Sequence, residues 1–273
     1  QVVSNSSGWG CLGQILSRLF SLFQTLESES LFQTHSLLVH ILFIFNVVLR
    51  TQNLGSITKK WMNSFRKSIS AAWAKAWQDK QFQWRLILAF GVFAIFPWKA
   101  ADYFQWIQAR PGDEWPDFLL AQIPAANVSY PIFGIIYSSV IYLIIRLLPS
   151  PHTFLWFAWA FNIETLFRFT SIYFVALNPP VGLVDLHDPI AELLIYGENL
   201  AITKDLFFSG HTATMVFVCY FLPTTRERRI AIGLSLLLVS LLLVQHVHYS
   251  LDVLAAPLFT LAAIWIVKRI RVI

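Results

Sequence analysis

Residues 248–269 read HYSLDVLAAPLFTLAAIWIVKR, and the reading of this stretch frames the rest of the chain. A polar head, His248 to Asp252, is followed by an almost purely apolar run from Val253 to Val267, interrupted only by Thr260, and then by Lys268 and Arg269. The segment 249–267 is close to the roughly 20 residues that an α-helix needs to cross about 30 Å of hydrocarbon. Basic residues directly after such a run anchor it at the cytoplasmic surface.

Working outward, five more segments of this kind precede it, giving 86–107, 129–148, 153–177, 207–223, 230–247 and 249–267 as the expected spans. The first is interrupted by Lys99 and Asp102 after Pro97, and the fourth is short and opens on Ser209, Gly210 and His211. The expected fold is all-α: a polytopic membrane protein whose six-helix transmembrane bundle occupies residues 86–267. A basic cytoplasmic segment, 62–85, precedes the bundle and a short cytoplasmic tail, 268–273, follows it.

Composition agrees with a membrane solvent. Of 273 residues, 56% are hydrophobic and 13% charged, with 24 Phe and 11 Trp, too apolar for one soluble domain of this length. The net charge of +5 does not indicate a nucleic-acid partner, because the basic residues cluster at the ends of apolar runs. Two cysteines, Cys11 and Cys219, give neither a disulfide framework nor a Cys-based metal site. There is no internal repeat and no low-complexity linker. Residues 1–61 differ from the rest: they hold few charges, many Ser, Thr, Gln and Asn, and one apolar run, Ser36 to Leu49, too short to span. Met62 and Met215 are the only methionines, and the expectation is that the native chain starts near Met62, with 1–61 an N-terminal extension.

Basic residues orient the bundle. Arg66, Lys67, Lys75, Lys80, Arg85, Arg146, Arg226, Arg228, Arg229, Lys268, Arg269 and Arg271 fall on one side, against Arg110 and Lys204 on the other. This places both ends of the core in the cytoplasm. Asp113, Glu114, Asp117, Asp185, Asp188, Glu192, Glu198 and Asp205 all fall in the two long outer loops. His211, at the start of the fourth span, and His248 and Asp252, at the start of the sixth, then share the outer membrane surface.

His248 and Asp252 are four residues apart, on one helix face and within contact distance. A carboxylate there fixes the imidazole tautomer and stabilises its charged form, as an activated nucleophile or base requires; alternatively, the two form a polar pair that helps helices pack. His211 follows Ser209 and Gly210 at a helix start, where free N–H groups and the helix dipole favour an anion such as phosphate. Gly210 permits close backbone approach, and Ser209 alternatively caps the helix. A second histidine here can protonate a leaving oxygen while His248 attacks phosphorus, an in-line displacement that needs neither metal nor other cofactor.

The stretches DLFFSGHT, 205–212, and HYSLDV, 248–253, resemble the two catalytic motifs of the sphingomyelin synthase-like branch of the type-2 phosphatidic acid phosphatase superfamily. In order and spacing both match: an Asp, three residues and Ser-Gly-His-Thr, then His-Tyr, Thr or Ser, one residue and Asp. The resemblance covers about residues 80–270. Thr203 and Lys204 stand where animal members carry Cys-Gly, which resembles bacterial members and a bacterial inner membrane. The resemblance implies that His248 is a nucleophile forming a phosphohistidine, Asp252 its orienting partner, and His211 the acid or base at the departing or arriving oxygen. It places Asp205, Ser209, Gly210 and Tyr249 around the substrate.

Superfamily phosphatases also bear Lys, six residues, then Arg-Pro to grip a terminal phosphate. Here Arg110-Pro111 is present, but Tyr103 occupies the Lys position, and no Arg precedes His248 in the Ser-Arg pattern of those enzymes. The departure favours a phosphodiester over a monoester. The implied partners are a phospholipid donor, a lipid hydroxyl acceptor or water, and the bilayer. The activity is transfer of a phospho-alcohol headgroup between lipids, with hydrolysis as the alternative and a non-catalytic scaffold or transporter as the competing class. The site would face the periplasm or a lumen.

Glu164 and Arg168, again four apart in the third span, form an expected intramembrane pair that must face the bundle or a wet cavity. Arg168 precedes Leu177-Asn178-Pro179-Pro180 as an Arg precedes a Leu-Pro-rich segment in the family, which implies a phosphate contact; a structural pairing with Glu164 is the other reading. Asp185, His187 and Asp188 suggest a metal only superficially, and no metal site is expected. His246 is expected to bond a neighbouring loop or headgroup. Trp98, Trp106 and Trp115 read as an interfacial belt.

Overall fold

The computed structural model describes residues 56–186 and 202–270, with side chains from Lys59 onward. The expectations for Cys11, the run Ser36 to Leu49, His187, Asp188, Glu192, Glu198 and Arg271 lie outside the described residues. The chain divides into two units, Gln1–Lys59 and Lys60–Ile273; apart from the start of α1, the elements below belong to the second.

The described residues form seven α-helices: α1 Ser56–Ala76, α2 Lys80–Ala109, α3 Ser129–Leu147, α4 Pro151–Phe174, α5 Gly210–Phe221, α6 Thr225–Val244 and α7 Ser250–Arg269. A short 3-10 turn, Leu120–Gln122, lies between α2 and α3. Local chemistry sets most of the helix starts. Asp79 accepts from the Gln81 N–H at 2.8 Å to cap α2, and Pro151 stands at the first turn of α4, where its missing N–H costs nothing. Thr224 and Glu227 form a reciprocal capping box at the head of α6.

Helices thus stand at all six positions where spans are expected, but three of them, α2, α3 and α7, are long and apolar enough to cross a membrane. The others differ for definite reasons. Asn162, Glu164 and Arg168 interrupt the apolar surface of α4, and the first turn of α6 carries Arg226, Glu227, Arg228 and Arg229. Helix α5 has 12 residues, about 18 Å at 1.5 Å per residue, shorter than a hydrocarbon core. Among the described residues the regular elements are helices, and the three long apolar ones make this a membrane protein.

From α2 to α7 the helices alternate in direction. At one end, Trp73 Nε1 donates to the Leu148 carbonyl at 2.7 Å, and Arg146 pairs with Glu227 at 2.7 Å. At the other, Ala126 N–H donates to the Val244 carbonyl, Val184 N–H to the Gln245 carbonyl, and Asp113 and Leu177 form a short parallel bridge. The first end gathers the Arg226 to Arg229 cluster with Lys268 and Arg269; the second gathers the two loops that carry Asp113 to Asp117 and Asp185.

Helix α4 packs against α2 and α7, while α5 is enclosed by α3, α6 and α7. The main core unites Ile132, Leu143, Met215, Phe217, Leu238, Leu242 and Ile264, with Trp156 and Phe157 stacked edge-on against Phe221. That packing fixes the heads of α5 and α7 side by side.

Candidate active site

The two motifs meet through backbone as well as side chains. Asp252, in the first turn of α7, is fully buried. Its Oδ1 accepts from the Phe207 N–H at 3.1 Å, its Oδ2 from the Tyr249 N–H at 3.1 Å, and its own carbonyl accepts from the Ser209 N–H at 3.0 Å. One residue of the second motif therefore holds three backbone donors, two of them from the first.

His248 Nδ1 lies 3.4 Å from Asp252 Oδ2, long for a hydrogen bond, and makes no other bond among the described residues. Separations of this order are common in catalytic pairs before substrate tightens them. The His211 and His248 rings stand 5.8 Å apart, inclined at 62°. His248 is buried, His211 half-buried, and the Phe133 ring of α3 lies 6.2 Å from His211. With Nδ1 turned to Asp252, Nε2 is the nitrogen left to His248 for chemistry.

Arg168 projects from α4 to the head of α5. Its Nη2 reaches both oxygens of Asp205, at 2.6 and 2.5 Å, and its Nη1 donates to the Phe208 carbonyl at 2.7 Å. A Cβ added at Gly210 would stand 2.5 Å from Nη1 and 2.6 Å from Cζ. The guanidinium packed on Gly210 would have to shift to admit a side chain there. Glu164 is buried one turn away, and its Oε1 has no hydrogen-bond partner among the described residues.

The remaining residues singled out in the sequence serve the same assembly. Ser209 is fully buried and accepts from the Thr212 N–H at 3.3 Å, the capping alternative. Tyr249, expected around the substrate, donates its hydroxyl to the Asn178 carbonyl at 3.0 Å and packs among Leu177, Leu206 and Phe207. Tyr103 and Arg110 both serve α4: the Tyr103 hydroxyl donates to the Phe169 carbonyl at 2.6 Å, and Arg110 caps the carbonyls of Ile172, Tyr173 and Val175.

Two contacts, at Asp117 and Gln245, were beyond sequence reasoning, and a third, at His246, is the bond to neighbouring loops that the sequence led us to expect. Asp117 Oδ2 accepts from both the N–H and the hydroxyl of Ser250, at 2.6 and 2.8 Å, pinning the head of α7. Burial pushes the Asp117 carboxyl up, but hydrogen bonds from Leu120, Ser250 and Leu119 outweigh it and hold the group below its ordinary value. His246 bridges the Val181 and Ile123 carbonyls, at 3.0 and 2.9 Å. Gln245 accepts from the Val128 N–H and donates to Ser129 and to the Val184 and Asp185 carbonyls. All three lie on loops whose pairing is set by the fold. Among the described residues there is no grouping of His, Cys, Asp and Glu suited to a metal ion.

No curated protein matches the chain. Residues 204–269 are similar to the family model described as PAP2 superfamily C-terminal, and the matched stretch contains Asp205, His211, His248 and Asp252.

Proposed function

We propose that the protein transfers a phospho-alcohol headgroup between lipids through a phosphohistidine on His248, as in sphingomyelin synthase-like enzymes. The observation that carries this reading is the pair of imidazoles with rings 5.8 Å apart, one of them backed by the carboxylate of Asp252. His248 Nε2 attacks phosphorus in line with the leaving oxygen. The P–O bond breaks as the protonated His211 gives that oxygen its proton, and Asp252 stabilises the charge gained by His248. In the second half, neutral His211 takes the proton of the acceptor hydroxyl, whose oxygen attacks phosphorus, and the P–N bond breaks to restore His248. Protons and charge balance over the cycle with no metal step.

A diester substrate is supported by the use made of Tyr103 and Arg110. Both are spent on α4 carbonyls, so the positions at which the phosphatases grip a terminal phosphate serve packing here. Arg168, against Gly210 and Asp205, is the guanidinium placed nearest the head of α5 and is our candidate for orienting one phosphoryl oxygen.

The depth of the site suits a lipid. From Pro151 to Arg168 along α4, and from Ser250 to Lys268 along α7, the helical rise is about 25 Å. Measured from the basic end, the site then lies near the far boundary of a hydrocarbon core of about 30 Å. We assign the basic end to the cytoplasm and the site to the periplasmic or luminal headgroup region, in a bacterial inner membrane on the family resemblance.

Incubation of the purified protein with headgroup-labelled phospholipid, with and without ceramide or diacylglycerol, tests the transfer. Label passing to the added lipid supports a transferase, whereas label appearing only as soluble headgroup assigns a hydrolase. Retention of the labelled phospho-headgroup on His248 in the wild-type protein without acceptor, and its loss in a His211→Ala protein, support the covalent intermediate. Unchanged turnover in that protein would overturn the two-histidine mechanism.

A further inference from the structure

We propose that α1 is a surface-lying helix that binds anionic phospholipid headgroups at the basic end of the bundle, opposite the candidate active site. From Lys60 to Ala76 the helix carries Lys60, Arg66, Lys67 and Lys75 and no Asp or Glu. Its apolar residues, Trp61, Met62, Phe65, Ile69, Trp73 and Ala76, recur every three or four positions and form one stripe. A polar face of lysines and arginines set against an aromatic stripe is the composition of helices that lie in the membrane interface.

Among the described residues the contacts that anchor the stripe are at its C-terminal end. Ala76 is buried, and Trp73 packs edge-on to Phe82 and Phe154 while its Nε1 donates to the Leu148 carbonyl at the α3–α4 turn. Three turns earlier, Trp61 is stacked on Phe65 at 5.4 Å with nearly parallel rings, yet 63% of its surface is exposed. Trp61 precedes Trp73 by about 18 Å of helix, so the N-terminal half of the stripe runs beyond its anchor with its largest aromatic side chain uncovered.

Charge and level select the occupant. The anchor is the turn that ends α3 and begins α4, so α1 starts from the level at which the bundle meets the membrane surface. Exposed Arg226, Arg228, Arg229, Lys268 and Arg269 stand at the same end, as do exposed Trp77, Trp84 and Trp265, with the Arg269 guanidinium over the Trp265 ring. Indole rings favour the headgroup layer, and a basic cluster beside a membrane is attracted to anionic lipids over zwitterionic ones. An uncovered Trp61, stacked on a half-buried Phe65 and flanked by cations, therefore fits a lipid surface better than an acidic peptide, which would leave Trp61 in water. The role is independent of the chemistry at His248.

The full chain, with Cys11→Ser, Cys219→Ser and Met62→Cys, is labelled at position 62 with an environment-sensitive dye. It is then reconstituted into nanodiscs of phosphatidylcholine alone or of an equal mixture with phosphatidylglycerol. The expected result is a blue-shifted, brighter emission in the mixed discs that is lost in high salt and in the variant combining Lys60→Glu, Arg66→Glu, Lys67→Glu and Lys75→Glu. Where charge reversal prevents reconstitution, Lys60→Gln with Lys67→Gln should weaken the same shift. Identical emission in the two discs, or a shift that survives neutralisation, would overturn the proposal. So would a shift in pure phosphatidylcholine discs on adding polyglutamate with none on adding phosphatidylglycerol, which would assign an acidic peptide partner.

Discussion

The guanidinium of Arg168 occupies the space that a side chain at residue 210 would need, with Nη1 2.5 Å from an ideal Cβ. A methyl group at that distance must displace the arginine, and with it the two bonds to Asp205 and the bond to the Phe208 carbonyl. Gly210→Ala is expected to lower turnover by roughly 10²-fold, the scale of an ångström misplacement at a reacting centre, while the protein still reconstitutes. Initial rates with labelled phospholipid provide the measurement; wild-type rates would separate Arg168 from the chemistry.

Arg168→Lys keeps the charge but loses the planar fork that reaches Asp205 and the Phe208 carbonyl together. Activity should fall and should not be rescued by Asp205→Glu. If the lysine enzyme works at the wild-type rate, a point charge suffices and the fork has no role.

Asp252→Asn replaces an acceptor of two N–H groups with an amide that can accept at only one oxygen. One of the Phe207 and Tyr249 donors is left unsatisfied in a buried place, at a cost of about 1–3 kcal/mol. Loss of the carboxylate behind His248 should lower the rate by roughly 10² to 10⁴. Thermal unfolding in detergent and single-turnover kinetics measured together should show both losses; a stability loss alone would make Asp252 purely structural.

Asp117 gives a pH dependence with a definite sign. Its carboxyl is held below the ordinary 3.8, so the folded state binds this proton less readily than the unfolded chain does. The stability it contributes is fully present above that ordinary value and is lost as pH falls through the depressed one. The Tm difference between wild type and Asp117→Asn should therefore be constant through neutral and mildly acidic pH and shrink only below about pH 4. Shrinkage already near pH 6 would contradict the assignment.

His246 holds two loops by its two ring nitrogens. His246→Ala removes the ring that lies against both the Val181 and Ile123 carbonyls and whose N–H donates there, and should destabilise the protein by about 1–3 kcal/mol. Protease cleavage within residues 110–128 should become faster. An unchanged cleavage pattern would show that the loops hold without it.

The sequence alone determined the helical character and the positions of six helices, and it named His211, His248 and Asp252 as the candidate site residues. The physical reason is local: apolar run length, spacing of four along a helix, and caps such as Asp79, Thr224 and Ser209 all act within a few residues. Six spans were expected and three helices are long and apolar enough to cross a membrane; among the others, a run read as 207–223 becomes a 12-residue helix once Ser209 starts α5. It named Arg168 yet left two roles open, since Glu164 is its neighbour in sequence and Asp205 its partner in space, 37 residues away.

Only the tertiary structure decided what each polar residue touches. Arg168 arrives from another helix to lie against Gly210, and Tyr249 turns its hydroxyl to Asn178 on a separate loop. Asp117 meets Ser250 across 133 positions. Such contacts depend on how α4, α5 and α7 pack, and packing is a property of complementary surfaces that no short stretch of residues contains.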